Sequence, residues 1–189
     1  LLSWMEKYHQ NTYHLILEAD RLSKERLGFG NAIAQAYNHT ILPLCTEEDA
    51  RVQIRWGLED FSRRFSRKAD GIWLPETAIN PMVIDILAEE GVSYVILSPW
   101  QCKAIEDKKK GRIELEGRAA PYDRPFLLQG AKGKIISAFF YNPQLAEGIS
   151  FGHYLRDADS LYQRLVAIRE DEKPNLIHTA TDGEIYGHQ

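Results

Sequence analysis

Short apolar runs separated by stretches of helical periodicity constrain this chain more than any other feature. Residues 40–44, 71–74, 94–97 and 175–178 are strand-length and apolar at nearly every position. Such runs suit strands buried on both faces, and helices between them suit the crossovers of a parallel sheet. An α/β fold is therefore expected.

The helical stretches carry their own punctuation. One is expected after Asn11, with Leu15, Leu22 and Leu27 inward and Gly28 to Gly30 as its stop. A second starts at Thr46, where Thr46 and Asp49 resemble a capping box. It continues through Ile54, Leu58, Phe61 and Phe65, whose spacing makes one apolar stripe. A third has Asn80 as N-cap and Pro81 at its first position, and ends at Gly91. A fourth is expected over residues 154–168, with Leu155, Leu161, Leu165 and Ile168 inward. Between residues 112 and 141 the rhythm changes to short strands (112–116, 126–128 and 134–140) joined by Gly and Pro turns. That stretch reads as a small β-rich insertion on the α/β body.

Composition narrows the function classes. With 189 residues, 44% of them hydrophobic, one globular domain covering 1–189 is the natural expectation, and disorder is not. No apolar run approaches the roughly 20 residues needed to span a bilayer, so no membrane partner is expected. Against 23 Lys+Arg stand 27 Asp+Glu, a net charge of −4, which disfavours a nucleic-acid surface. The run Lys108-Lys109-Lys110 follows Glu106 and Asp107 and reads as a solvated loop. Cys45 and Cys102 are far apart and form no Cys-x-x-Cys pair. Free thiols in a reducing, cytoplasmic compartment are the default for that usage, with no structural zinc and no cofactor.

Polar outliers collect just beyond the apolar runs. Pro75-Glu76-Thr77 follows the second, Ser98-Pro99-Trp100-Gln101 the third, and Thr179 to Glu184 the fourth. In parallel α/β folds ligands are handled beyond the carboxyl ends of the strands. Glu76 and Asp182 thus leave the same end of one expected sheet, with Trp73, Trp100 and Tyr186 as nearby aromatics. A carboxylate pair flanked by aromatics suits glycoside chemistry, in which one carboxylate attacks the anomeric carbon and the other protonates the leaving oxygen. Structural roles compete with that reading. Glu76 could cap the following helix or pair with an arginine such as Arg51, and Asp182 before Gly183 could be a turn residue. Spacing alone leaves both open.

The quoted segments resemble those of a known family. Gly71-Ile72-Trp73-Leu74-Pro75-Glu76-Thr77-Ala78 resembles the nucleophile motif of glycoside hydrolase family 57. Thr181-Asp182-Gly183-Glu184-Ile185-Tyr186-Gly187-His188 resembles its acid/base motif, and Tyr37-Asn38-His39-Thr40-Ile41-Leu42-Pro43-Leu44 its second motif. The three occur in the family's order. The version Gly30-Asn31-Ala32-Ile33-Ala34-Gln35-Ala36-Tyr37-Asn38-His39 is similar to that of an uncharacterised subgroup.

The resemblance implies a partial (β/α)7 barrel, an incomplete TIM-like barrel, and retaining hydrolysis or glucanotransfer on α-linked glucans or related α-glycosides. Glu76 is then the nucleophile and Asp182 the acid, later the base. His39 hydrogen-bonds the sugar, with Trp73 and Trp100 as sugar platforms and Glu184 in support. On this reading the two carboxyl groups lie about 5–5.5 Å apart. The family's opening His-Gln-Pro motif has no counterpart here, and Asn31 stands near where many members carry Glu. The chain therefore reads as the central part of a longer barrel, without its first strand and its C-terminal part. By itself it is expected to be inactive and, with barrel edges uncovered, prone to form homodimers. Two rival readings remain. One is a metal-dependent, deacetylase-like carbohydrate esterase with ligands from His39, His178, Asp182 and His188. The other is a glycan-binding homologue without turnover.

Overall fold

A computed structural model describes residues 1–187. The chain forms two compact units, one of residues 1–94 with 129–136, the other of residues 95–128 and the chain from 137 on.

The first unit holds helices α1 (Leu2–Tyr8), α2 (Gln10–Leu27), α3 (Glu47–Phe65) and α4 (Pro81–Glu89), with strands β1 (Ala34–Gln35) and β2 (Gly71–Trp73). β1 and β2 run parallel, Ala34 opposite Ile72 and Gln35 opposite Trp73. Leu42, Ile54, Ile72, Leu74, Val83, Ile86 and Leu87 are fully buried and make its core. Each such side chain contributes about 1.5–3 kcal/mol of hydrophobic stabilisation relative to exposure.

Local signals fix the helix ends. α2 stops where Gly28 takes the left-handed conformation (φ 87°) that a side chain would oppose. The Thr46 hydroxyl accepts the Asp49 N–H (3.1 Å) and donates to the Asp49 carboxylate (2.8 Å), starting α3. The Asn80 side chain accepts the Val83 N–H at 2.9 Å ahead of Pro81, starting α4. The α3 stripe lies inward as expected, with Ile54 and Phe61 buried and Leu58 and Phe65 half-buried.

The inward face of α2 differs from the expectation. Leu15 and Leu27 are 69% and 63% exposed, whereas Tyr13 and Asp20 are buried. A buried Asp is tolerable because Arg67 meets it through two bonds of 2.8 Å. Residues 40–44 are also not a strand. Leu42–Leu44 is a 3-10 turn containing Pro43, which has no N–H to donate to a ladder. The strand at this point is β1, two residues long.

The second unit contains β3 (Tyr94–Leu97, beginning at the unit boundary), β4 (Ala104–Asp107), β5 (Gly111–Glu114), β6 (Pro125–Gln129) and β7 (Ile135–Phe140, whose first residues belong to the first unit). Helices α5 (Pro143–Ser150) and α6 (Ala158–Asp171) follow. Its sheet runs in the order β3-β7-β6, while β4 and β5 form a separate antiparallel pair. The β-rich insertion is therefore smaller than expected. β7 lies beside β3 in the sheet, and burial alternates along it with Ile136, Ala138 and Phe140 inside. The decoration is the β4–β5 hairpin, and Lys108 to Lys110 form its turn. There the Asp107 side chain accepts the N–H groups of Lys109 (2.8 Å) and Lys110 (2.9 Å).

The fourth expected helix starts four residues late, and a separate helix that was not expected lies ahead of it. α6 begins at Ala158, where Asp157 accepts the Ser160 N–H at 2.7 Å, and α5 precedes it with Asn142 as its cap. Leu145, Ile149 and Ile168 form a cluster against which Leu155, Leu161 and Leu165 pack. Residues 175–178 adopt no strand.

Candidate active site

The parallel pair β1–β2 directs two chain segments outward beyond its carboxyl end. Past β1 comes Tyr37-Asn38-His39, and past β2 comes Pro75-Glu76-Thr77. The two meet, with His39 Nε2 2.9 Å from Glu76 Oε1 and both side chains 71% exposed. The Glu76 carboxylate is thus open to solvent yet held from one side.

The backbone around Glu76 is unusual. Glu76 (φ 54°) and Thr77 (φ 53°) are consecutive left-handed residues, and neither is glycine. Each costs on the order of 1 kcal/mol. The surrounding chain holds them there, with Leu74 and Pro75 buried and their carbonyls accepting the N–H groups of Thr77 (2.9 Å) and Ala78 (3.0 Å). The result is a sharp exit from β2 that presents the Glu76 side chain.

Neither structural role weighed for Glu76 is the one it takes. The cap of α4 is Asn80. Arg51 pairs instead with Glu47 (3.1 Å), Glu89 (2.7 Å) and Glu90 (3.1 Å).

The His39 loop is anchored to α3. The Tyr37 N–H donates to the Gln53 carbonyl (3.1 Å), and the Asn38 N–H to Gln53 Oε1 (2.9 Å). This approach is possible because α3 carries Gly57, where a Cβ would lie 1.9 Å from the Gln35 carbonyl oxygen. Sequence reasoning missed Gln53, which looks like any polar residue on a helix. The available signal was the glycine one turn later inside a helical pattern.

Trp73 closes β2 and is half-buried. In the second unit Trp100 stands 60% exposed on the 3-10 turn Pro99–Gln101, after β3. Asp182 and Glu184 are exposed at the start of the 3-10 turn Gly183–Gly187. The Asp182 carbonyl accepts the Ile185 N–H at 3.3 Å, and Tyr186 and Thr181 join through their hydroxyls at 3.1 Å. The segment before Asp182 is tied to Asn142, whose N–H donates to the His178 carbonyl (3.1 Å) and whose carbonyl accepts the Thr179 hydroxyl (3.3 Å).

His178 is half-buried, and burial pushes its imidazole below the ordinary histidine range. Its ring lies edge-on to Phe139. Of the proposed metal ligands, His39 directs Nε2 to Glu76, and His188 falls outside the described residues. Among the described residues no group of three or more His, Cys, Asp or Glu side chains is placed to hold a metal ion. No helix among them is long and apolar enough to cross a membrane.

Comparison with known proteins gives consistent results. The profile of Glycosyl hydrolase family 57 matches residues 1–189. A 4-alpha-glucanotransferase of Thermococcus litoralis is 24% identical over 99% of this chain and 25% of its own length. A 1,4-alpha-glucan branching enzyme of Thermococcus kodakarensis is 33% identical over 86% of this chain and 27% of its own. The chain thus spans about a quarter of the length of these curated relatives. Among solved structures, the Thermococcus litoralis 4-alpha-glucanotransferase superposes with a TM-score of 0.68, at 23% identity, over 98% of this chain and 26% of that one. An exo-type maltose-forming amylase from Pyrococcus sp. ST04 gives a TM-score of 0.65 at 14% identity, over all of this chain and 30% of that one. The likeness in sequence runs the length of the chain, and the likeness in structure covers nearly all of it. The chain belongs to glycosyl hydrolase family 57.

Proposed function

We propose that the protein containing this chain is a retaining glycoside hydrolase or glucanotransferase acting on α-linked glucans. Its strands are part of an incomplete (β/α)7 barrel, and its working place is the cytoplasm. Glu76 is the nucleophile that forms the glycosyl-enzyme. Asp182 protonates the leaving oxygen and then, as its conjugate base, activates the water or acceptor sugar. Trp73 and Trp100 offer flat faces to sugar rings, with Glu184 beside the acid/base turn. The observation that carries this reading is Glu76 itself. It is exposed beyond the carboxyl end of a parallel strand, on a strained backbone, with its carboxylate held by His39 at 2.9 Å. Strain of this kind persists where the surroundings over-determine it, and functional sites are where it collects. The names of the relatives, a glucanotransferase and a branching enzyme, point to α-glucans as substrate.

The test is made on the complete protein with maltooligosaccharides and α-glucans, the product anomer being followed by NMR. Retention is expected. Glu76→Gln is expected to lower kcat by at least about a thousandfold while sugar binding persists. Inverted product, or turnover unchanged in Glu76→Gln, overturns the assignment.

A further inference from the structure

We infer that Gln53 of α3 is a positioning residue for Glu76, acting through His39; this rests on Glu76 being the nucleophile. The chain of contacts lies wholly in the first unit. Gln53 holds two successive N–H groups of the loop, that of Tyr37 by its backbone carbonyl at 3.1 Å and that of Asn38 by Oε1 at 2.9 Å. The Asn38 carbonyl accepts the Thr40 N–H at 2.8 Å, turning the chain around His39. His39 Nε2 then reaches Glu76 Oε1 at 2.9 Å.

Two features make this more than a loop anchor. The Gln53 carbonyl sits inside α3, where the Gly57 N–H is its ordinary helical partner, so the Tyr37 N–H reaches it only because the chain lies against the helix. That approach requires Gly57, since a Cβ there would lie 1.9 Å from Gln35 O. Then His39 and Glu76 are both 71% exposed, so the contact between them is not enforced by packing around the two side chains. An exposed pair of this kind holds one geometry only if the backbone on both sides is fixed. Glu76 is fixed by the sharp exit from β2, and His39 by Gln53. Gln53 therefore sets the direction from which an N–H meets the attacking carboxylate, and with it which carboxylate oxygen remains free to attack.

The test uses the complete protein and a 5-fluoro α-glycosyl fluoride, which accumulates the covalent glycosyl-enzyme. In the wild type the label is expected on Glu76. In Gln53→Ala, kcat and the labelling rate are expected to fall together by about 10- to 100-fold, the scale of a small misplacement of reacting groups, with KM within about threefold. Gln53→Glu keeps an acceptor for the Asn38 N–H and is expected to restore both rates to within about threefold of wild type. His39→Ala is expected to fall as far as Gln53→Ala, and the double variant no further, since both break one path. A merely structural role for Gln53 would lower the amount of folded enzyme without lowering the labelling rate per folded molecule. Unchanged labelling in Gln53→Ala, failure of Gln53→Glu to restore it, or multiplicative loss in the double variant overturns the inference while leaving Glu76 as nucleophile. Label on another residue overturns the functional reading, and this inference with it.

Discussion

The two motif carboxylates reach the surface by different physical routes. Glu76 leaves a parallel strand whose neighbours Ile72 and Leu74 are fully buried, turns through two left-handed residues, and is met by a histidine fixed to α3. Asp182 ends a segment that is neither helix nor strand, held to the second unit through the buried Asn142. Motifs of similar length in the sequence thus rest on unequal support. Packing of whole elements places the first, whereas a few polar bonds and the side chains of Ile177 and Ile185 against one small apolar cluster place the second. Perturbing the first should be felt as global stability, whereas perturbing the second should loosen one segment.

The largest expected effect tests the first route at its base. Asp20 accepts two bonds of 2.8 Å from Arg67 and a third, also 2.8 Å, from the Ala32 N–H; Arg67 in turn donates to the Ala32 carbonyl at 2.8 Å. The pair joins α2 to the segment entering β1, with the guanidinium also over the Phe61 ring. Asp20→Ala leaves the buried Arg67 cation with the longer contact to the exposed Asp70 carboxylate (3.5 Å) and is expected to cost about 3–5 kcal/mol by denaturant unfolding. The hydrogen bonds from Arg67 hold the Asp20 carboxyl below its usual pKa of 3.8. Its stabilisation is therefore full above that value and is lost as pH falls through the depressed folded pKa. The gap between wild type and Asp20→Ala should accordingly be widest near neutrality and narrow on acidification. A gap constant down to pH 2 would mean that the pair does not titrate as a unit with folding.

A smaller loss is expected at Gly57, where helix and strand backbones touch. Gly57→Ala pushes a methyl group against the Gln35 carbonyl, a backbone atom that cannot rotate away. A cost of about 1–3 kcal/mol is expected from overpacking, together with slower turnover of the complete protein because the His39 loop moves off α3. Lost stability with unchanged turnover would separate the packing of β1 from the placement of His39.

How much of this was legible depends on how local each cause is. The caps at Thr46 and Asn80 lie within a few residues of what they cap, so the helix starts were readable. The motif segments were readable because their residue order is itself the signal. β1 was not, since two residues cannot show a period, and Pro43 turned an apolar run into a 3-10 turn. Asp20 carries no mark of its buried role in the sequence, because its partner comes from beyond α3. Gln53 was invisible for a similar reason. Its function depends on a loop crossing a helix face, and a polar residue on an amphipathic helix carries no mark of what crosses it.

The smallest expected effect falls on the second route, at Asn142. Its side chain accepts the Leu145 N–H at 2.9 Å and so caps α5, while its backbone holds the His178 carbonyl and the Thr179 hydroxyl. Asn142→Ala removes the cap and keeps the backbone groups, so about 1 kcal/mol is expected, the ordinary value of an N-cap. The location of the loss is more informative than its size. α5 supplies Leu145 and Ile149 to the cluster containing Ile168, with Ile177 and Ile185 packed against it. Fraying the first turn of α5 therefore loosens both flanks of Asp182. Amide exchange is expected to rise at residues 144–149 and 177–185 and to stay unchanged in α3 and α4. Uniform acceleration would place Asn142 in a global unfolding unit and remove the contrast between the two routes. Exchange confined to α5 would show instead that the segment before Asp182 is held by its apolar contacts without help from the cap.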